Sequence, residues 1–157
     1  MTRTATHATF VVERDIAAPV EKVWAAFADP EIKAQWFKGD GFTSNVDISE
    51  DFRIGGHGVN DADMAEGVRS RFLSTYTDIV EHERIIYTYD MWLNETHAST
   101  SLATITFQAS ERGTLLTVTE QGVYLDGVHG PGMDAANGRE HGTNELIDKM
   151  ITVVLAK

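Results

Sequence analysis

One carboxylate in an otherwise apolar row carries most of the chemical content of this sequence. Between Thr114 and Tyr124 the residues alternate, and Leu116, Val118, Glu120 and Tyr124 fall on one side, the side that a half-buried strand turns inward. A carboxylate there must be ion-paired, hydrogen-bonded or protonated, because an isolated charge out of water is too costly. The plain reading is an internal pair with Arg14 or a hydrogen bond from Tyr87 or Tyr89. The functional reading is a group that orients a ligand hydroxyl or carries a proton. With His141 or a tyrosine beside it, Glu120 could serve as acid or base next to an enolisable carbonyl. It is the sole catalytic candidate, and one carboxylate is not a mechanism.

Other chemistries find less support. The six histidines stand at positions 7, 57, 82, 97, 129 and 141, with no i, i+4 pair and no His-Glu-x-x-His motif to set two ligands on one helix face. The run Asp61-x-Asp63-x-x-Glu66-Gly67 lacks the full ligand ladder of a calcium loop, so a solvated loop is expected there. Cysteine is absent, which removes thiolate metal sites, disulfides and cysteine nucleophiles together. There is no Gly-x-x-x-x-Gly-Lys phosphate loop, no Gly-x-Gly-x-x-Gly and no Gly-x-Ser-x-Gly elbow. No metal and no cofactor are expected.

Thirteen Lys and Arg against 24 Asp and Glu give a net charge of −11, with no basic cluster to set against a phosphate backbone. Nucleic acid and anionic membrane are therefore poor partners. Met1 to Thr9 holds no apolar signal segment and no apolar run is long enough to span a bilayer, so a cytoplasmic protein is expected and the Asn94-Glu95-Thr96 sequon carries little weight. A length of 157 residues suits one domain, 1–157, that buries roughly 70% of its unfolded surface.

The elements that must position Glu120 follow from periodicity. Thr9 to Ile16 alternates like a strand, with Phe10, Val12 and Ile16 inward and Arg14 breaking the row. Pro19 opens a helix whose stripe is Val20, Val23, Trp24 and Phe27, and Asp29-Pro30 caps and starts a second that carries Ile32 and Trp36. Strands are expected at Phe42 to Ile48 and Asp51 to Gly58, then a polar loop from Asn60 to Gly67. Four more follow at Val68 to Val80, Arg84 to Trp92, Thr100 to Ala109 and Thr114 to Tyr124, turning at His82, at Asn94 to Ala98 and at Arg112-Gly113. Gly127 to Asn137 reads as a loop, and Asn137 with Glu140 as a capping box for a last helix bearing Leu146, Ile147, Met150, Ile151 and Val154, roughly 30 Å long. So long an apolar stripe needs a large apolar partner, and the concave face of the sheet is the surface available.

The order strand, two helices, six strands, long helix resembles the Bet v 1-like or START-like (SRPBCC) superfamily. Val12 to Pro19 with Val23-Trp24, Asp29-Pro30 and Gln35-Trp36-Phe37 is similar to the opening of its AHSA1-like branch, named for the activator of Hsp90 ATPase. Asp51 to Gly56, Glu83 to Tyr89, Thr119 to Gly127 and Arg139 to Gly142 resemble later stretches of the same branch. Thr143 departs from it, standing where many relatives carry an aromatic residue. The resemblance implies an α+β helix-grip fold, a curved antiparallel sheet of six to seven strands around the long C-terminal helix. It implies a cavity for a small hydrophobic molecule.

Strand parity assigns Tyr87, Tyr89, Met91, Phe107, Glu120 and Tyr124 to the concave side, and Phe72 and Tyr76 less sharply. Trp36 and Phe42 from the entrance, and His141 and Met150 from the last helix, complete the expected ligand-binding set. The leading expectation is a binding module rather than an enzyme. A metal-independent cyclase, dehydratase or hydrolase using the same cavity is the alternative, and a module docking on an Hsp90-type chaperone is a third. A homodimer is expected from base rates alone.

Overall fold

The computed structural model describes residues 3–38, 42–64, 67–125 and 132–156, with side chains described outside 42–46 and 132–133. Strand β1 (Ala5–Ile16) leads into helices α1 (Val20–Ala28) and α2 (Pro30–Trp36). Six strands follow: β2 (Phe42–Glu50), β3 (His57–Met64), β4 (Arg69–Val80), β5 (Arg84–Leu93), β6 (Thr96–Ala109) and β7 (Thr114–Leu125). Helix α3 (Gly132–Leu155) ends the chain's regular structure. The seven strands form one antiparallel sheet in the order β1-β7-β6-β5-β4-β3-β2. This is the α+β helix-grip architecture that the sequence implied.

Local chemistry explains the crossover from β1 to the far edge. Asp29 Oδ1 accepts the Glu31 N–H at 2.9 Å and Pro30 occupies the first turn of α2, so the capping group and the fixed proline φ act together. Trp36 Nε1–H donates to the Ala26 carbonyl at 2.9 Å, which ties α2 to α1. Val23, Trp24, Ala26 and Phe27 bury the inner stripe of α1, with Trp24 edge-on to Phe107 at 5.1 Å. The tight turns at His82 and Asn94 adopt left-handed φ of 65° and 54°, a conformation that short polar side chains tolerate best.

Two stretches differ from expectation. Residues 51–56 form a turn rather than a strand, and a Cβ on Gly56 would lie 2.0 Å from the Asp51 carbonyl oxygen. The strand comes later, at His57–Met64, across most of what reads as a polar loop. Its inward residues are Gly58, Asn60 and Ala62, too small or polar to show an apolar period, while Asp61 and Asp63 on the outer side pair with Arg69 and Arg71 of β4. A polar strand held by cross-strand ion pairs has the composition of a loop.

Helix α3 starts at Gly132, five residues before the expected cap, and Asn137 is an exposed interior residue of it. Glycine content argued for a loop, but Ala135 and Ala136 are buried against Tyr124 of β7, and packing of this kind overrides weak propensity. With 24 residues the helix is about 36 Å long. Arg14 of β1 ties it down through Asp148 at 3.0 Å and Asn144 at 2.9 Å.

Candidate ligand pocket

A pocket of about 430 Å³ lies between the concave face of the sheet and α3, closed on one side by α2. Its floor is a run of aromatic rings. Phe37 meets Phe72 at 5.1 Å, Phe72 lies against Tyr89 at 4.6 Å, and Tyr87 links Tyr89 to Tyr76 at 5.9 Å on each side. Such edge-on and tilted contacts suit the ring quadrupoles and leave the floor apolar.

The buried charged groups gather at two poles. At the first, Lys33 of α2 donates to Glu50 Oε1 at 2.8 Å and to the Tyr76 hydroxyl at 3.0 Å, and that hydroxyl donates to Glu50 Oε2 at 2.7 Å. The Lys33 and Glu50 side chains are only 8% and 4% exposed, and the ammonium sits 4.5 Å from the centre of the Phe37 ring. Burial lowers the Lys33 pKa, opposed by the Glu50 charge and hydrogen bond. Burial raises the Tyr76 phenol, and Glu50 adds to the shift.

At the second pole Glu120 accepts a short hydrogen bond from the Tyr89 hydroxyl. Arg139 of α3 donates to that same hydroxyl oxygen at 3.0 Å and to Ser99 Oγ at 2.8 Å, and stands 4.0 Å from Glu120 Oε1. Its guanidinium also lies over the rings of Tyr89 and Tyr124, at 5.6 and 5.3 Å. Burial pushes the Glu120 carboxyl above the usual carboxylate range, while the Tyr89 hydrogen bond, Arg139 and Ser101 pull it back. Tyr89 and Tyr87 are raised well above an ordinary phenol, chiefly by burial.

Trp36, Phe72, Tyr76, Tyr87, Tyr89, Met91 and Glu120 all line the pocket. Phe107, Tyr124 and Met150 do not: Phe107 packs against Trp24 and Phe27, Tyr124 against Ala135 and Ala136, and Met150 is fully buried in the main core. Strand parity gives the face of a side chain but not its position along the groove: α1 covers Phe107 and the start of α3 covers Tyr124, while Met150 on α3 itself turns into the main core. His141 is exposed on α3, with Nε2 3.2 Å from Glu145 Oε1, so it forms no pair with Glu120. The Phe42 side chain lies outside the described residues, although its backbone in β2 opposes Met64 of β3. Arg14 is spent on Asp148 and Asn144, so Glu120 takes Tyr89 and Arg139 as partners, with Ser101 beside them.

Lys33, Glu50 and Arg139 escaped the sequence reading. A signal for Arg139 existed: counting back along the α3 stripe from Met150 through Leu146 and Thr143 lands on it. Lys33 likewise precedes Trp36 by three positions, so it shares the buried face of α2. Glu50 gives no such sign, since it ends a strand and its pairing depends on how α2 lies across the sheet.

Gly58 shows how closely the first pole is built. A Cβ there would lie 2.6 Å from Ser74 Oγ and 3.0 Å from Glu50 Oε1. Because Lys33 and Tyr76 hold that carboxylate, Gly58→Ala is expected to cost about 1–3 kcal/mol, read as a lower midpoint in urea. An unchanged midpoint would mean that the pole yields without strain.

The fold and pocket define a helix-grip domain, a sheet gripping one long helix over an internal cleft. The chain belongs to the activator of Hsp90 ATPase homolog 1-like family, whose model matches residues 17–155. It is similar to the solved structure of an uncharacterised protein from Rhizobium leguminosarum, with 38% identity, 98% of each chain covered and a TM-score of 0.89. A protein from Rhizobium loti has 36% identity, covering 96% of this chain and 99% of that one, with a TM-score of 0.84. DynU16, a protein of the dynemicin biosynthetic locus, shares the fold at 21% identity and a TM-score of 0.64, over 92% of this chain and 46% of its own. No curated protein matches this chain. Among the described residues no helix is long and apolar enough to cross a membrane.

Proposed function

We propose that the domain binds a small hydrophobic or amphipathic molecule between the sheet and α3, oriented by Glu120 and the tyrosine hydroxyls. The observation that carries this reading is a pocket of about 430 Å³ with an aromatic floor and its buried charges gathered at two poles. Burial of apolar ligand surface supplies affinity in such a site, and the few polar groups fix orientation. The family's fold, generally that of small-molecule binders, supports the reading.

Native mass spectrometry of freshly purified protein, set against its denatured mass, tests the proposal. A reproducible extra mass that disappears on denaturation is expected. Tyr89→Ala and Glu120→Ala are each expected to alter its retention by about tenfold, the scale of one hydrogen bond to a charged group, with the circular dichroism of the fold unchanged. Unaltered retention in both variants would count against the pocket as the site.

A second reading is acid–base chemistry on a bound carbonyl compound, without a metal. It is favoured by one observation, a buried Glu120 carboxyl with a raised pKa in hydrogen-bond contact with Tyr89. Turnover of a ketone or ester that Glu120→Gln abolishes would establish it. Turnover that survives Glu120→Gln would rule Glu120 out.

A further inference from the structure

The second pole holds a cation whose carboxylate is kept at a distance. Arg139 is 14% exposed and lines the pocket, yet Glu120 Oε1 stands 4.0 Å away, beyond hydrogen-bond reach, with the Tyr89 hydroxyl bridging the two. Two of the guanidinium contacts go to neutral hydroxyls, those of Tyr89 and Ser99. A guanidinium has five N–H donors in a fork that matches a carboxylate edge to edge. The internal arrangement therefore leaves this pocket-lining guanidinium without the direct carboxylate contact that is its strongest interaction.

Charge on the surrounding elements sharpens the argument. Glu120 is faced by Tyr87 and Tyr89 from β5, Ser101 from β6, Tyr124 on its own strand and Arg139 from α3, with Glu140 further off beside Tyr124. Phe10 of β1 and Ala103 of β6 flank it in register and add no charge. The Lys33 ammonium is already neutralised by Glu50 at the other pole. At the pocket wall Lys38 and Lys149 offset Asp134 and Glu145. Arg139 is thus the cation at this end, and a second carboxylate beside it would meet Glu120 across a buried, weakly screening space. Two such anions cannot both stay ionised around one guanidinium without a large cost, so one of them takes a proton.

We infer that the pocket takes an amphipathic carboxylate whose head group docks on Arg139, and that its binding takes up one proton at Glu120. The tail lies along the Phe72 and Tyr89 rings. The inference rests on the pocket being a ligand site and adds the chemistry of the ligand's polar end. Burial already sets Glu120 above the usual carboxylate range in the free protein, and a bound carboxylate raises it further. Affinity is therefore highest below the free-protein pKa of Glu120, falls as pH rises through the interval between the free and bound values, and levels off above it.

Titration calorimetry with decanoate and decan-1-ol tests this, from about pH 5.5 to about pH 9, in two buffers of different ionisation enthalpy. Decanoate is expected to bind about tenfold more weakly for each pH unit within the sensitive interval, with close to one proton taken up there. Decan-1-ol should show no such trend. In Glu120→Gln the decanoate affinity should vary by less than about twofold over the same range. Arg139→Met, compared at the acid end, should weaken decanoate about 10–100-fold and decan-1-ol less than about threefold. Decanoate binding that ignores pH, or that keeps its pH profile in Glu120→Gln, overturns the inference while binding of decan-1-ol still upholds the pocket. Failure of both probes to bind the unaltered protein overturns the pocket reading and this inference together.

Discussion

Glu50→Ala is expected to destabilise the domain by about 3–5 kcal/mol, because it leaves a buried ammonium without its counter-ion. Lys33 is 8% exposed, donates to Glu50 at 2.8 Å, and loses with that carboxylate the acceptor of the Tyr76 hydroxyl as well. For a chain of this length the loss corresponds to about 6–20 °C in melting temperature, measured by differential scanning calorimetry. The sign of the pH response is a second check. Burial already holds the Lys33 pKa down in the folded state, and removing Glu50 lowers it further. Between that folded value and the ordinary lysine value the unfolded chain binds more protons, so the variant should regain stability as pH rises. Replacing both partners, as Lys33→Met with Glu50→Leu, should recover most of the loss, since exchanging a whole buried pair for apolar groups is often neutral, and leave about 1–3 kcal/mol for the buried Tyr76 hydroxyl that then lacks both partners. A melting temperature unchanged in Glu50→Ala would show that water reaches the pair and that the first pole is solvated.

Arg139→Ala is the second large effect, again about 3–5 kcal/mol when Glu120 is ionised. Glu120 can escape part of this cost by taking up a proton. Its carboxyl already lies above the usual range because of burial, and loss of Arg139 removes one of the influences that lower it. A carboxyl whose folded pKa exceeds its unfolded value binds more protons folded than unfolded in the interval between them, so stability falls as pH rises through that interval. The cost of Arg139→Ala should therefore be small near the ordinary carboxylate range and grow as pH rises above it. Urea midpoints across pH for Arg139→Ala, Glu120→Gln and the double variant check this. The double variant should lose the slope. A cost of Arg139→Ala that is the same at every pH would mean that Arg139 stabilises through its stacking on Tyr89 and Tyr124 and not through Glu120.

Much of this could be read from residues alone, and the failures have specific causes. The alternation of Leu116, Val118 and Glu120 placed the carboxylate on the inner face, and the structure buries it there at 3% exposure. Parity of β5 found Tyr87, Tyr89 and Met91 for the same reason: a strand's side chains alternate by two whatever its neighbours are. Strand β3 was missed because Gly58, Asn60 and Ala62 leave no apolar period, and the beginning of α3 because its buried residues there are alanines beside glycines. In both cases the partner surface, not the segment, supplies the stabilisation.

The sequence by itself determined the order of the elements and the inward row that carries Glu120, since both depend on local periodicity, capping and turn chemistry, and the likeness of its motifs pointed to the family. Only the tertiary structure decided which charges meet. Lys33 and Glu50 are 17 residues apart, Tyr76 another 26 beyond Glu50, and Tyr89 and Arg139 are separated by 50. No period or spacing links such positions. Their pairing follows from where α2 and α3 come to rest across the sheet, and that placement is set by the summed burial of apolar faces rather than by the charged residues themselves.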